Sequence, residues 1–275
     1  MMKFLILAHR SDVSAIAVAA ALCRRHPSGA CRLVTAEELV LAPRWAHHLD
    51  ANGVGSQVRL HDGTTLDSAE TGVVLHRLHS LDLPQFGGAD RDYAVAEMSA
   101  LLQSWLEGFP CPVINPVTTR GFFVNRSPVG WLALATEAGL PVPRLRLTSN
   151  LRRFPADGLP PADGSTLPVG LSLAGRRFAF LAEPPGPNAH SVLFAGEEVC
   201  GDLPPGLLPA CRTLARLART PLLRLHFTSG GRHGVEWLFS NAEPLPVLDA
   251  AGLATVVRLL ERAASDEAQT EAEVA

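Results

Sequence analysis

The stretch from Cys111 to Ser149 constrains the fold more than any other part of this 275-residue chain. Its short apolar strand stops at an Asn-Pro dipeptide at 115–116, which is typical of a turn. Pro128 then opens a helix, because a proline at the first helical position loses no hydrogen bond, and Gly139 ends that helix. The following Pro-Val-Pro prevents helical continuation and favours an extended run. The centre of the chain therefore predicts a strand–loop–helix–strand unit.

Residues 1–118 predict a small α/β domain with a parallel sheet. Phe4 to Ala8 is an all-apolar strand, and the helix expected over 13–25 has its N-cap at Ser11-Asp12. The other expected elements are strands at 31–35, 57–60, 64–66, 73–76 and 112–114, a short helix from 35, and a helix over 93–106.

Residues 119–264 predict a second, α+β domain, and residues 265–275 predict a flexible acidic tail. Four prolines in the segment 150–168 indicate a surface loop. The other expected elements are a hairpin around 175, a hairpin over 190–200, a helix over 207–219, strands at 222–227 and 236–240 joined by a turn at 230–231, and a helix over 252–264.

The central stretch resembles the start of the ATP-grasp fold, most closely that of the peptide-modifying ligases of ribosomal-peptide pathways. Leu222–Phe227 is similar to the family strand that reads apolar, apolar, acidic, Phe. Trp237–Pro246 is similar to its partner strand, which carries the metal-binding Glu-x-Asn-Pro-x-Pro. The resemblance spans nearly the whole chain and implies an α/β protein: a pre-ATP-grasp-like parallel domain followed by a shortened ATP-grasp-like domain.

The residues that this resemblance implies for phosphoryl transfer are largely missing. Lys3 is the only lysine of the chain, whereas the family holds the nucleotide phosphates with lysines. Arg126 lies near the expected position of the first of these lysines, and Gly170 occupies that of the second. The glycine-rich flap is reduced to three residues, 174–176. Arg126 and the pair Arg176–Arg177 can contact phosphate, but a planar guanidinium does not simply replace an ammonium group.

The metal ligands implied by the resemblance are also altered. His226 corresponds to the first acidic ligand, and the family's Glu and Asn are exchanged as Asn241 and Glu243. Magnesium requires hard oxygen ligands in octahedral geometry, so a set with one carboxylate is a poor magnesium site, although a softer metal could use it. We therefore expect a polar wall, no metal and no cofactor.

Other candidate sites have simpler interpretations. The pair His76 and His79 has ligand spacing but follows a strand without a nearby Glu, so we expect both to be exposed. His47-His48 predicts a solvated helix face. Cys111 is expected to be a buried thiol, and the five cysteines, without a Cys-x-x-Cys pair, to be reduced and mostly buried.

Composition narrows the range of partners. A net charge of −3 gives no indication of a nucleic-acid partner or an anionic membrane surface. No apolar run approaches membrane-spanning length, and the short first strand does not form a signal peptide. We therefore expect a cytoplasmic protein.

A retained scaffold without its phosphoryl-transfer groups resembles the truncated accessory proteins of crocagin-type clusters. This resemblance implies a pseudoenzyme that binds a precursor peptide, by addition of a strand to a sheet edge, and presents it to a partner modifying enzyme. Two alternatives stay open: an active ATP-dependent carboxylate–amine ligase that uses arginines, and a scaffold for subunit assembly. Dimerisation is expected only by family analogy. The candidate peptide-binding residues are Arg224, His226, Asn241, Glu243, Asn125, Arg126 and Trp131.

Overall fold

A computed structural model describes most of the chain. The described residues are 2–50, 53–81, 83, 85–117, 126–143, 145–148, 172–173, 176–177, 179–182, 188–229 and 237–274. The surface loop expected over 150–168, the turns expected at 175 and 230–231, and the candidate residue Asn125 lie outside them.

The first part of the chain forms a parallel sheet with helices on either side of it. Its strands, β1 to β7, are Met2–Ala8, Cys31–Thr35, Arg44–Asp50, Gly53–Arg59, Thr65–Asp67, Thr71–His76 and Val113–Ile114. Its helices, α1 to α3, are Val13–Arg25, Ala36–Val40 and Gly88–Glu107. The parallel sheet has the order β2-β1-β6-β7, and β3-β4-β5 form a separate antiparallel sheet.

The second part is built on an antiparallel sheet of order β13-β12-β14-β15. Its strands, β8 to β15, are Leu145–Thr148, Ser172–Leu173, Arg176–Arg177, Ala179–Ala182, Asn188–Ala195, Glu198–Cys200, Leu222–Ser229 and Leu238–Glu243. Its helices, α4 to α6, are Pro128–Glu137, Leu208–Ala218 and Ala250–Val274. The short strands pair as β9 with β10 and β8 with β11.

Side-chain caps explain where several helices begin. Asp12 accepts a hydrogen bond from the Ala15 N–H at 3.0 Å, and so satisfies one of the free donors at the start of α1. Thr35 and Glu38 form a reciprocal capping box at α2. Ser127 caps α4 immediately before its first residue, Pro128. The sequence predicted where all three helices begin, but it did not identify Ser127 as a cap.

Three apolar clusters form the core, and one of them contains residues of both sheets. One face of the parallel sheet packs with β4, β5 and α3. The other face packs with α1 and α6, and the same cluster includes Leu193, Ala195 and Leu222 of the antiparallel sheet. The far face of the antiparallel sheet packs against α4 and α5. Helix α6 therefore lies between the sheets, and the cluster around it contains residues from both sides of residue 118. The domain boundary expected near that residue stays a prediction.

Two secondary-structure expectations differ from the structure. His47 and His48 lie on strand β3, opposite Ser56 and Gly55, and not on a helix. Pairing with β4 decides this, because the local sequence has no clear strand alternation. Helix α6 continues to Val274, through the segment expected to be a flexible tail. No helix among the described residues combines the length and the apolar character needed to cross a membrane.

Candidate functional site

A cleft of about 460 Å³ lies beside β15, which is an edge strand of the antiparallel sheet. Five of the seven candidate residues line it: Arg126, Trp131, His226, Asn241 and Glu243. The other lining residues are Pro128, Ala242 and Pro244, which the sequence did not single out. Of the two remaining candidates, Asn125 lies outside the described residues, and Arg224 lies on β14 next to this lining.

The polar residues share one face of the sheet because of the strand register. Arg224 lies opposite Glu243, and His226 lies opposite Asn241. Residues that are directly opposite in an antiparallel pair project to the same side, and so do residues two apart. Leu225, between them, is fully buried in the core. The expected wall of four polar side chains is therefore present on one face.

A β-bulge interrupts the pairing just beyond this wall. The register shifts because His226 lies opposite Asn241 while Phe227 lies opposite Phe239, which leaves Ser240 as the extra residue of β15. The Ser240 hydroxyl donates a hydrogen bond to the His226 carbonyl at 3.1 Å. The Phe239 N–H donates to the Pro141 carbonyl at 2.8 Å, so the edge of β15 is partly covered at that point.

The charges within the cleft lie close to one another. His226 Nε2 is 3.6 Å from Glu243 Oε2, and the two side chains are 36% and 41% exposed. On the facing side, the Arg126 guanidinium lies 5.6 Å from the centre of the Trp131 ring, within cation–π range. Trp131 itself is only 2% exposed and packs in the core, so it supports the wall more than it offers contact surface.

Asn115 joins the parallel sheet to the site, and its structural role was missed by the sequence reasoning. Its Nδ2 donates to the carbonyls of Leu222 and Pro244 at 2.9 and 2.7 Å, and its Oδ1 accepts from the Leu222 N–H at 3.0 Å. The residue has φ +60°, a left-handed conformation that asparagine tolerates. The Asn-Pro dipeptide was the available signal.

The interpretation of His76 and His79 as an exposed pair is wrong for His76. That side chain is 2% exposed, and its Nδ1 donates to the Asn115 carbonyl at 3.0 Å. Burial lowers its pKa to about 4, an effect that the hydrogen bond opposes. His79 is exposed, and the centre of its ring lies 4.2 Å from the centre of the His9 ring. Partial loss of solvent contact, and then the nearby His9, lower the pKa of His79.

The cysteines are all free, but only Cys111 and Cys211 are buried. Burial raises the pKa of the Cys211 thiol to about 12, so it stays protonated at neutral pH. Cys23 is exposed, and Cys31 and Cys200 are partly buried, so the expectation of mostly buried thiols was too broad. None of the five lies among the lining residues of the cleft.

Comparison with solved structures identifies the fold. The macrocyclase MdnC of Microcystis aeruginosa MRC, bound with the precursor peptide MdnA, matches 95% of this chain and 100% of its own at 12% identity, with a TM-score of 0.71. A RiPP-associated ATP-grasp ligase of Chryseobacterium gregarium, in complex with ADP and a leader and core peptide, matches 95% of this chain and 97% of its own at 11% identity, with a TM-score of 0.69. The ATP-grasp ligase PsnB, complexed with minimal precursor, Mg and ADP, matches 95% of this chain and 98% of its own at 16% identity, with a TM-score of 0.69.

These matches show that the chain has the ATP-grasp fold, as the sequence motifs predicted. They extend over nearly the whole of both chains. No family model matches the sequence. No curated protein matches it either.

The described lining residues do not fit a magnesium nucleotide. Glu243 is the only carboxylate among them, and His226 stands where the resemblance places an acidic ligand. No group of three potential His, Cys, Asp or Glu ligands occurs in the described part of the chain. Lys3 lies near the start of β1, 5.7 Å from the centre of the Phe4 ring, and is not among the described residues that line the cleft.

Proposed function

We propose that this chain is a non-catalytic ATP-grasp-like protein that binds a ribosomal precursor peptide and presents it to a partner modifying enzyme. The observation that carries the proposal is the composition of the cleft. It keeps a polar wall, Arg224, His226, Asn241 and Glu243, on an ATP-grasp scaffold, but the described lining has one carboxylate and no lysine. Such a surface can hold a peptide by hydrogen bonds while lacking ligands for a magnesium nucleotide.

The solved neighbours support a peptide as the ligand. MdnC is bound with its precursor peptide, and PsnB with a minimal precursor. In this chain the edge strand β15, next to side-chain donors and acceptors, suits an extended peptide, because backbone pairing supplies affinity and alternate side chains supply selectivity. The resemblance to crocagin-type accessory proteins favours a biosynthetic role in which another enzyme performs the chemistry.

Calorimetry on the purified chain tests the proposal. We expect saturable binding of a precursor peptide encoded beside its gene, and no heat or thermal shift with ATP and magnesium. The variant His226→Ala together with Asn241→Ala is expected to weaken peptide binding by about 10-fold, whereas Arg44→Gln, on β3, is the matched surface control. Nucleotide binding without peptide binding would reject the proposal.

A second experiment tests whether the chain presents the peptide to a partner enzyme. The rate of peptide modification by the candidate partner enzyme is measured with and without this chain. We expect the rate to rise with the parent chain and to rise less with the His226→Ala and Asn241→Ala variant. Equal rates under all three conditions would limit the role to peptide binding.

A second candidate function is an ATP-dependent carboxylate–amine ligase, favoured by Arg126 at one wall of the cleft. A guanidinium there is a cation at the place where the resemblance expects a phosphate ligand. This function predicts ADP release that depends on peptide, on magnesium and on Arg126. ADP release that Arg126→Gln abolishes would replace the first proposal with this one.

A further inference from the structure

A second cleft, of about 560 Å³, lies at the C-terminal end of α5 and shares no lining residue with the first. It is bounded by the turn between β12 and β13, at Gly196 and Glu197, and by Pro221, just before β14. Pro221 precedes His226 by five residues, about 17 Å along the strand. The two clefts are therefore separate places on the surface.

Three arginines line this second cleft. Arg212 and Arg216 are four residues apart on α5, so they lie on the same side of the helix, about 6 Å apart along its axis. Arg219 follows the last residue of the helix and lines the same cleft. All three residues are exposed, and Glu197 is the only carboxylate among the described lining residues. The cleft thus carries an excess of positive charge in a chain whose net charge is −3.

Arg219 adopts a backbone conformation that favours glycine. It has φ +53° and ψ +42° and ends α5, where its N–H bonds to the carbonyls of Ala215 and Arg216. Glycine is the usual residue at such a left-handed helix end, because it has no Cβ to clash there. A strained arginine at this position gains nothing for the helix end itself.

The existing ion pair in the cleft is easily replaced. Arg212 Nε lies 3.3 Å from Glu197 Oε2, with the side chains 47% and 83% exposed, and Arg212 also donates to the Glu197 carbonyl at 3.4 Å. An exposed pair of this kind contributes little to stability. No ion pair among the described residues involves Arg216 or Arg219. An incoming carboxylate therefore has to break only the weak ion pair between Arg212 and Glu197.

We propose that this α5 cleft is a binding site for an acidic segment of a partner polypeptide. An extended chain carries carboxylates on one side at alternate residues, about 7 Å apart, so a short acidic segment can contact more than one of the three arginines. Ala215, Thr213 and Pro221 complete the described lining of the cleft. Guanidinium groups bind carboxylates through paired, charge-assisted hydrogen bonds. This inference does not rest on the proposed function.

The test measures fluorescence anisotropy of a labelled heptapeptide with Glu at alternate positions and Ser between them, using the full chain. The Gln version of the same peptide is the ligand control. Arg216→Gln and Arg219→Gly are expected to weaken binding by about 5- to 10-fold each, and Arg219→Lys by less. Arg44→Gln removes the same charge on β3 and leaves affinity unchanged. Binding of the Glu peptide falls with added salt.

Arg219→Gly separates binding from folding. Because it relieves the left-handed strain, its Tm is expected to equal or exceed that of the parent while its peptide affinity falls. Lost affinity with an intact Tm supports the site. Unchanged affinity in both arginine variants, or equal binding of the Gln peptide, overturns it. Displacement by inorganic phosphate at the same concentration as the peptide, or tighter binding of a single-stranded oligonucleotide, also overturns it in favour of another ligand.

Discussion

The side-chain amide of Asn115 and the backbone of Leu222 exchange two hydrogen bonds, at 2.9 and 3.0 Å, and so pair like two strand residues. Asn115 ends the parallel sheet and Leu222 begins the central strand of the antiparallel sheet. A third bond, from the same amide to the Pro244 carbonyl, reaches the wall of the first cleft. One buried side chain therefore fixes the position of the site relative to both sheets.

Replacing Asn115 with Ala is expected to destabilise the chain by about 3 kcal/mol, because buried backbone groups of Leu222 and Pro244 lose their partner. Urea unfolding measures the change. Asn115→Gly is the control, since it keeps the left-handed backbone accessible but removes the same bonds. If the Gly variant is as stable as the parent, the hydrogen bonds contribute nothing and only the backbone conformation matters.

A buried ion pair makes a second connection between the two parts. Arg77 is 2% exposed, donates to Asp12 at 2.8 and 3.3 Å, and donates to the Pro246 carbonyl at 3.1 Å. Asp12→Ala is expected to cost about 3–5 kcal/mol, because it leaves the guanidinium buried without its charge partner. The double variant with Arg77→Met should be more stable than Asp12→Ala alone. A double variant less stable than the single one contradicts this account.

Local signals predicted much of the fold. The bounds of α1 and β2 agree with the sequence, because caps and apolar periodicity fix them within a few residues. Strand β3 was missed, since its residues become a strand only through pairing with β4. The burial of His76 was missed for a similar reason: the residues that cover it come from distant parts of the chain.

The candidate site could also be predicted only in part from the sequence. The shared face of Arg224, His226, Asn241 and Glu243 follows from strand alternation and could be predicted. The bulge at Ser240 could not, because it depends on how β14 and β15 pair. The near-complete burial of Trp131 depends likewise on packing between α4 and the sheet.

His76 is expected to make stability depend on pH. Its pKa is about 4 in the folded chain, lowered by burial from 6.5. The unfolded chain therefore binds more protons between these values, so the free energy of unfolding rises with pH through that window and the stability is lost as pH falls. The full effect is about 3 kcal/mol.

Unfolding free energies of the parent and of His76→Gln, compared at about pH 7 and pH 4.5, measure this effect. We expect the parent to have the larger unfolding free energy at about pH 7. At about pH 4.5 we expect this difference in unfolding free energy to shrink or reverse. His76→Phe, which removes the donor to the Asn115 carbonyl, separates the hydrogen bond from the titration. A difference that does not change with pH would exclude His76 as its source.

Glu243 distinguishes peptide binding from metal-dependent chemistry, because it is the only carboxylate among the described lining residues of the first cleft. Its contact with the His226 side chain is partly exposed, so Glu243→Gln is expected to change Tm by less than about 3 °C. The amide keeps the volume but loses the charge, so affinity for a precursor peptide should fall by about 5-fold. Arg44→Gln again serves as the surface control. If Glu243→Gln leaves peptide affinity intact but removes a magnesium-dependent response to ATP, the carboxylate acts as a metal ligand, and the ligase function replaces the peptide-presenting one.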